Sequence, residues 1–399
     1  MYNLSDRNVV LGVSGSIAAY KAADLTSKLV QAGANVDVIL TAAAREFVTP
    51  FTFRSLTGRP VYGDMFQPAT DEREEHVGLA RRADAVVVAP ATATTIARLA
   101  YGLADDLVAL TVLATRAPVL VAPAMDAQMW TAQATQANVA TLRSRGVTFV
   151  GPEEGRLASG HTGLGRLAEP ETILGAVKWV LGRDGDLAGR RVVVSAGGTR
   201  EPIDPVRFIG NRSSGKQGFA LAEAARDRGA QVTLVSTTTA LPVPYGVELV
   251  TAETVAEMRA AVLSACRAAD VLVMAAAVSD FRAAQAGGQK IKKGEGGLVL
   301  ELAQTEDILL EVPDTLVKVG FAAETDDLIA NAAKKLAAKR LDLICANDVS
   351  TADAGFGVDT NRVTILDAKG GVEELPLLSK YEVAQRVLDR VAALLSQRR

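Results

Sequence analysis

The residues best suited to chemistry fall in two regions of the chain. In the second half, a Gly-rich turn precedes four polar residues that stand where a helix is predicted to begin, namely Asn211, Ser213, Ser214 and Lys216. The N-terminus of a helix attracts anions. Asp280 follows the apolar run "VLVMAAAVS", and "QKIKKGEGG" places three lysines within four residues. Turns alone explain the glycines, and a charge run is usually a solvated face. Together, however, these residues favour a nucleoside triphosphate site, where cations stabilise departing pyrophosphate.

In the first half, "GVSGSIAAYK" (12–21) combines a strand, a Gly/Ser turn and a helix start. The backbone N–H groups of such a turn suit a phosphate, although any tight strand-to-helix turn also needs glycine. His76 is one of two histidines, and a lone histidine at a helix start is more often a cap or surface group than a catalyst. Met125, Met129 and Trp130 follow an Ala-Pro loop at a strand end, where they form either core or an apolar wall for a flat cofactor.

A dense run of glycines, "EEGRLASGHTGLGRL", spans residues 153–167 and has Ser159 and His161 at its centre. Glycine at this density predicts a loop that bends sharply or lies close to another group. We call this segment the lid.

Composition limits the classes of function. The net charge of −3 gives no basic surface of the kind that binds nucleic acid or an anionic membrane. The 5% aromatic content is low for stacking on single-stranded nucleic acid. Cys266 and Cys345 are too few for a disulfide framework or a Cys-based zinc site. The N-terminus lacks a signal-peptide pattern, and no stretch reaches the roughly 18 apolar residues of a membrane span. We therefore expect a cytoplasmic protein without nucleic-acid or membrane partners.

Short β-branched runs alternate with Ala-rich helical patterns along the chain, beginning with "NVVLGV", "SIAAYKAADLTSKLVQAG" and "NVDVIL". Strands that are apolar throughout belong to parallel sheets covered on both faces. The polar, Gly-containing segment 181–191 separates two such patterns. The sequence therefore predicts an α/β fold of two Rossmann-like doubly wound domains, residues 1–190 and 191–399.

The first domain resembles, in the order and spacing of five motifs, the flavin-containing cysteine decarboxylases, which include phosphopantothenoylcysteine decarboxylase. The motifs are "GVSGSIAAYK", "EHVGLARRAD", "APATA", "PAMDAQMW" and "GRLASGHTGLGRL". The resemblance implies a catalytic role for His76, FMN bound between the subunits of a trimer, and a lid that closes over a substrate with a C-terminal cysteine. The FMN-binding positions that it implies are Gly15, Ser16, Ile17, Thr41, Ala91, Thr92, Ala124 and Met125.

The implied reaction transfers a hydride from the cysteine side chain to FMN and releases carbon dioxide. The resulting ene-thiol is then protonated and takes the hydride back, so that no net redox change remains. Two implied catalytic positions depart from the family pattern. Asp126 stands where the family has an asparagine, and an ionised Asp accepts hydrogen bonds but repels a substrate carboxylate. Ser159 stands where the family has an acidic cysteine, and a hydroxyl is a poorer proton donor than a thiol with a pKa of about 8.5. Either these are harmless variants, or decarboxylation is slow, stops at the ene-thiol or uses another donor such as His161.

The second domain closely resembles phosphopantothenate–cysteine ligase. The matching motifs are "TREPIDPVR", "N-R-SSGK", "AAVSD", "KIKK", "GFAAET" and "DLICANDV", with "TEDI" in the place of the family's "NPDI". The resemblance implies CTP and Mg²⁺, with Asn211 near an acyl-cytidylate and Lys290 at the phosphates. The CTP-binding positions that it implies are Ala275, Asp280, Lys290, Asp307, Ile308, Phe321, Lys335 and Lys339. Cys345 lies in a predicted strand and is assigned to packing.

Taken together, the two halves resemble the bacterial bifunctional enzymes of coenzyme A biosynthesis, in which a ligase follows a decarboxylase. The substrates implied are 4′-phosphopantothenate, cysteine and CTP, and the assembly implied is a homo-oligomer with trimeric decarboxylase and dimeric ligase domains. An alternative is an active ligase whose impaired first domain serves mainly as a flavin-binding oligomerisation scaffold. An NAD-dependent dehydrogenase is disfavoured, because "GVSGSI" is not GxGxxG and no clear acidic residue follows "VDVILT".

Overall fold

The structure of the chain is a computed structural model that describes residues 4–66, 74–292, 298–324, 327–348 and 357–398. It has two compact units, Met1–Leu181 and Gly182–Arg399. Residues 182–190 pack with the second unit, since Leu187 lies in its core and donates its N–H to the Arg228 carbonyl at 3.1 Å. Each unit is built on a largely parallel sheet. The predicted α/β fold of two doubly wound domains is therefore confirmed.

The first unit begins with β1 and contains eight strands and eight α-helices among its described residues. The strands are β1 (Asn8–Val13), β2 (Asn35–Leu40), β3 (Val61–Tyr62), β4 (Ala85–Ala91), β5 (Val119–Pro123), β6 (Thr148–Phe149), β7 (Glu153–Arg156) and β8 (Thr162–Arg166). The helices are α1 (Ala19–Gln31), α2 (Pro50–Thr57), α3 (Glu75–Arg82), α4 (Ala93–Tyr101), α5 (Leu107–Ala114), α6 (Ala127–Thr131), α7 (Gln133–Ser144) and α8 (Pro170–Gly182), with a 3-10 turn at Ala42–Glu46.

Strands β1 to β6 form a parallel sheet in the order β3-β2-β1-β4-β5-β6, which is the Rossmann order. The strands are apolar because the sheet is buried: β4 is buried at every position. Helix α1 turns Leu25 and Leu29 inward, and Gly33 ends it with a φ of +93°. The strand order reverses between β1 and β4, and in this architecture ligands bind at the carboxyl ends of the strands on either side of such a reversal.

The second unit repeats this plan with a longer sheet. Its strands are β9 (Arg191–Ala196), β10 (Arg200–Pro202), β11 (Phe208–Gly210), β12 (Gln231–Ser236), β13 (Glu248–Thr251), β14 (Val271–Met274), β15 (Phe281–Ala283), β16 (Leu302–Gln304), β17 (Val317–Glu324), β18 (Leu343–Asp348), β19 (Thr360–Asn361), β20 (Val363–Asp367), β21 (Val372–Glu374) and β22 (Leu378–Ser379). Its helices are α9 (Lys216–Asp227), α10 (Val255–Cys266), α11 (Ile308–Glu311), α12 (Leu328–Ala338) and α13 (Lys380–Gln397).

The main sheet has the order β13-β12-β9-β14-β17-β18-β20-β21. Its first six strands are parallel, β20 is antiparallel to β18, and β21 is antiparallel to β20. The strand order again reverses, here between β9 and β14. Two short antiparallel ladders, β10–β11 and β15–β16, form in the loops that follow β9 and β14. In the described part of the chain, no helix combines the length and apolarity needed to cross a bilayer.

Candidate functional sites

The first candidate site lies at the carboxyl ends of β1 and β4, where the strand order reverses. Ser14, directly after β1, joins the two strands. Its hydroxyl donates to the Pro90 carbonyl at 2.7 Å and accepts the Thr92 N–H at 3.0 Å. The Ala124 N–H donates to the Ala91 carbonyl at 3.0 Å, which fixes the loop after β5 at the same edge. Three predicted flavin positions, Ala91, Thr92 and Ala124, therefore lie side by side.

The turn after β1 is shaped to receive an anion. Gly15 packs so closely on the 3-10 turn that a Cβ there would lie 2.4 Å from the Cβ of Ala43. The Ser16 N–H donates to the Ser14 carbonyl at 2.9 Å. Within the described ranges, the N–H groups of Gly15 and Ile17 have no acceptor. Two free N–H groups just before α1 fit a phosphate oxygen.

The lid forms the antiparallel β7–β8 hairpin. Strand β8 packs on the loop before α6 through two glycines, because a Cβ on Gly165 would lie 2.2 Å from the Met125 carbonyl oxygen and one on Gly163 would lie 2.9 Å from the Ala127 Cβ. The Met125 N–H donates to the Gly165 carbonyl at 3.0 Å. The base of the lid is therefore fixed, while Ser159 and its neighbours at the tip are exposed.

The lid, the turn after β1 and the loop after β5 enclose a cavity of about 440 Å³, which is a typical size for a small-molecule site. Apolar and charged side chains both line it. The lining includes Ser16, Ile17, Lys21, Ala124, Met125, Asp126, Arg156, Ser159 and Arg166.

The two residues that depart from the family pattern contact each other in this cavity. The Ser159 hydroxyl donates to Asp126 Oδ2 at 2.8 Å, and the Gln128 N–H donates to Asp126 Oδ1 at 3.0 Å. The Gln128 N–H, the Ser159 hydroxyl and the charge of His161 hold the pKa of Asp126 below its ordinary value. Asp126 is therefore ionised at neutral pH, and both of its oxygens act as acceptors.

Five predicted residues of the first unit do not line this cavity, namely Gly15, Thr41, His76, Ala91 and Thr92. Thr41 follows β2 and caps the 3-10 turn by accepting the Ala44 N–H at 3.2 Å, and its own N–H donates to the Val13 carbonyl at 3.1 Å. This places Thr41 at the same sheet edge as the other predicted flavin positions. His76 is half-buried in the first turn of α3 and does not line the 440 Å³ cavity. The structure therefore brings the predicted flavin positions to one sheet edge, whereas His76 does not line the lid cavity.

The second candidate site lies at the equivalent edge of the second sheet. Gly197 follows β9 and accepts the Ala277 N–H at 2.8 Å, which joins the loops after β9 and β14. The Asn211 side-chain amide donates to the Ala277 carbonyl at 3.1 Å. A Cβ on Gly198 would lie 2.6 Å from the Asn211 carbonyl oxygen, so glycine is required for this approach. These contacts hold Asn211 at the point where the strand order reverses.

A cavity of about 690 Å³ opens beside Asn211. Seven of the residues predicted for the ligase site line it, namely Asn211, Asp280, Asp307, Ile308, Phe321, Lys335 and Lys339. Asp307 caps α11 by accepting the Leu309 N–H at 3.2 Å, and its other oxygen lies 3.1 Å from the Lys339 ammonium. Both side chains of this pair are about one-third exposed. Such a pair contributes little to stability, and its cation stays accessible to a polyanion.

Lys290 does not line this cavity. The next residue, Ile291, donates its N–H to Asp204 Oδ2 at 3.1 Å and accepts a hydrogen bond from Arg207 Nη2 at 2.8 Å. Hydrogen bonds from Arg207 and from nearby backbone N–H groups hold the pKa of Asp204 far below its ordinary value. The start of the lysine-rich segment is thus held against the loop between β10 and β11, while Lys293 lies outside the described residues.

A smaller cavity of about 110 Å³ lies at the N-terminus of α9 and shares Phe321 with the larger one. The predicted residues that line it are Ser213, Ser214, Lys216 and Ala275. It is also lined by Asn347, Asn361 and Lys380, which the sequence analysis missed. Lys380 is only 6% exposed, and burial and the nearby Lys216 charge lower its pKa. A single lysine in a sequence does not indicate a binding site, so the position of Lys380 beside α9 is visible only in the fold.

The two cysteines are buried in packed positions. Burial raises the pKa of Cys266 to about 12 and raises that of Cys345 further. Cys345 is fully buried in β18, which confirms its assignment to packing. In the ranges that the structure describes, no group of three or more His, Cys, Asp or Glu side chains is arranged to hold a metal ion.

Two family models together cover nearly the whole chain. The model described as Flavoprotein matches residues 1–182, and the model described as DNA/pantothenate metabolism flavoprotein C-terminal domain matches residues 187–395. A crystal structure of the C-terminal domain of a coenzyme A biosynthesis bifunctional protein CoaBC is 40% identical, with a TM-score of 0.46. The match covers 53% of this chain and 99% of that one.

Curated relatives match from end to end. The coenzyme A biosynthesis bifunctional protein CoaBC of Bacillus subtilis (strain 168) is 48% identical over 400 residues, which cover 99% of this chain and 98% of the relative. The CoaBC protein of Mycobacterium tuberculosis (strain ATCC 25618 / H37Rv) is 46% identical over 409 residues, which cover 98% and 97%. The chain therefore belongs to the family of bifunctional coenzyme A biosynthesis enzymes, which join a flavoprotein decarboxylase domain to a ligase domain.

Proposed function

We propose that the chain converts 4′-phosphopantothenate, cysteine and CTP into 4′-phosphopantetheine. In the ligase domain, the phosphopantothenate carboxylate attacks the α-phosphate of CTP, which forms an acyl-cytidylate and releases pyrophosphate. The cysteine amine then displaces CMP to give phosphopantothenoylcysteine, which the first domain decarboxylates. The observation that carries the proposal is the 690 Å³ cavity, because it collects seven residues that are widely separated in the sequence and were assigned to this reaction.

In the ligase site, the Asn211 amide is positioned to hydrogen-bond the acyl-cytidylate. Lys335 and Lys339 lie one helical turn apart and attract the triphosphate. Mg²⁺ enters with CTP, since this ion is held largely by substrate phosphates and water. Lys290 lies outside the cavity, so its role at the phosphates requires its segment to move toward the bound nucleotide.

In the first unit, FMN when bound supplies reversible oxidation of the cysteine side chain. The residues fit this cofactor, because the free N–H groups of Gly15 and Ile17 are suited to its phosphate. The loops at Thr92 and Met125 supply the surface for its ring. The lid encloses the cysteinyl end of the substrate and excludes water from it.

A homo-oligomer is part of this proposal, with trimeric association of the first unit and dimeric association of the second. Ile17, Tyr20, Phe51 and Phe66 are all more than half exposed, and large apolar side chains at a surface are available to an interface between proteins. His76 does not line the lid cavity of its own chain, and we assign it to a site completed by a neighbouring subunit. A cytoplasmic location without nucleic-acid or membrane partners belongs to the same proposal.

A second candidate function is an active ligase with an impaired decarboxylase domain that serves as a flavin-binding scaffold. The contact between Asp126 and Ser159 favours it, because it places an ionised carboxylate beside a weak proton donor in the lid cavity. Asp126 in this form accepts hydrogen bonds but cannot donate one.

The ligase proposal is tested without cysteine, so that the reaction stops at the acyl-cytidylate. With 4′-phosphopantothenate, CTP and Mg²⁺, we expect mass spectrometry to detect the acyl-cytidylate and a coupled assay to detect pyrophosphate. Asn211→Ala should lose the acyl-cytidylate, whereas Asn35→Ala, an exposed position of the first unit, should retain it. If Asn211→Ala forms the intermediate at the wild-type rate, the assigned site is wrong.

A further inference from the structure

The first unit must bind a substrate carboxylate without the amide that the family pattern places at position 126. Both oxygens of Asp126 already accept hydrogen bonds, from Gln128 and Ser159. An ionised carboxylate repels another one. A substrate that ends in a carboxylate therefore needs a cation elsewhere in the cavity.

Three cations line the cavity, but two of them share one acidic partner. The Lys21 ammonium lies 3.2 Å from Glu169 Oε2, and Arg166 pairs with the other oxygen of Glu169. Arg156 lies on β7 of the lid and is exposed. Within the described ranges, its guanidinium has no ion pair and no hydrogen-bond acceptor. Its charge is therefore available to a ligand.

We propose that Arg156 binds the carboxylate of the substrate, an inference that rests on the proposed decarboxylase function. The planar guanidinium fork matches a carboxylate in a bidentate contact. The lid tip that follows Arg156 is held by two contacts: the Leu157 N–H donates to the His161 carbonyl at 2.8 Å, and Ser159 bonds to Asp126. Asp126 is thus a positioning residue, which holds the lid tip so that Arg156 faces the cavity.

The phosphate of 4′-phosphopantothenoylcysteine offers the same chemistry to an arginine. The carboxylate is favoured because Asp126 follows Met125, whose loop supplies the surface proposed for the flavin ring, so the cysteinyl end must enter the cavity on this side. A cation on the lid then offsets the repulsion between Asp126 and the substrate carboxylate.

Isothermal titration calorimetry of the flavin-loaded protein tests the proposal with three ligands. The first is 4′-phosphopantothenoylserine, in which a hydroxyl replaces the oxidisable thiol, the second is its carboxamide, and the third is pantothenoylserine, which lacks the phosphate. Arg156→Gln should weaken binding of the first and third ligands on the order of tenfold and leave the carboxamide unchanged. Arg156→Lys should retain part of the affinity. Adding Asp126→Asn to Arg156→Gln should recover part of the loss, because asparagine removes the repelling charge and keeps an oxygen that can accept the Ser159 hydroxyl.

The matched control is Arg116→Gln, which removes the same charge from an exposed arginine before β5, outside this cavity. It should bind all three ligands as the wild type does, and flavin absorption should show equal loading in every variant. Equal binding by Arg156→Gln and wild type overturns the proposal. If Arg156→Gln weakens binding of the carboxamide but not of pantothenoylserine, Arg156 binds the phosphate, and the proposal is also overturned. If the wild type binds none of the ligands, the proposed decarboxylase function fails as well.

Discussion

Gly165→Ala is the most direct perturbation of the contact between the lid and the proposed flavin site. A Cβ at this position would lie 2.2 Å from the Met125 carbonyl oxygen and 3.3 Å from the Ala127 nitrogen. These are backbone atoms, so rotation of a side chain cannot relieve the clash. The same strand accepts the Met125 N–H at 3.0 Å, and that bond must also shift.

The size of the effect follows from the required movement. The distance of 2.2 Å from the new Cβ to the Met125 oxygen is about 1.2 Å shorter than the 3.4 Å at which ordinary contact begins. Strand β8 and the loop at Met125 must therefore separate by roughly that amount. A misplacement of about 1 Å costs on the order of 100-fold in rate when reacting groups depend on alignment. We therefore expect decarboxylation to fall about 100-fold, with ligation unchanged because its site lies in the second unit.

The assay measures the two reactions separately in one preparation, with carbon dioxide release from phosphopantothenoylcysteine for the first and pyrophosphate release for the second. The control is Gly155→Ala in the same hairpin, where the new Cβ meets only the flexible side chain of Arg166, at 3.1 Å. It should retain most of the activity. If Gly165→Ala decarboxylates as fast as Gly155→Ala, the lid does not position the reacting groups and the assigned site is wrong.

Three further predictions concern the second unit. Lys339→Met should raise the KM for CTP about tenfold with a smaller change in kcat, because it removes a cation that lines the cavity. Pyrophosphate-release kinetics measure this, and an unchanged KM contradicts it. Because the pKa of Asp204 is lowered in the folded chain, its contribution to stability is present above the ordinary carboxyl pKa and is lost as the pH falls below it. Thermal unfolding of Asp204→Asn should therefore depend less on pH than that of the wild type between about pH 5 and pH 2, and parallel curves refute this. Cys266 and Cys345, with raised pKa values, should react with a thiol reagent only on unfolding, so rapid labelling of the native protein counts against their packing roles.

Much of the fold could be predicted from the sequence because parallel strands read as apolar runs. β4 and β14 are continuous stretches of buried apolar residues, and both units follow the Rossmann strand order. The positions of the predicted loops at one sheet edge follow from this, since all parallel strands end on the same side. The link made by Ser14 between β1 and β4 lies in such a loop and confirms the reasoning.

The contacts within the sites could not be predicted in the same way. The hydrogen bond between Ser159 and Asp126 joins residues 33 positions apart, and it depends on how closely Gly165 lets the lid approach Met125. The pairing of Lys339 with Asp307 likewise depends on the packing of α11 and α12. A pattern of residue types reports which face of an element is buried, but it does not report which side chains meet.

The central claim, that both halves act in one pathway on one substrate, is tested most directly by mass spectrometry of the complete reaction. Purified protein receives 4′-phosphopantothenate, cysteine, CTP and Mg²⁺, and the products are followed over time. We expect phosphopantothenoylcysteine to appear first and 4′-phosphopantetheine then to accumulate, with flavin absorption in the purified protein. Accumulation of phosphopantothenoylcysteine or its ene-thiol, with no 4′-phosphopantetheine, would contradict it and leave the first unit as a scaffold.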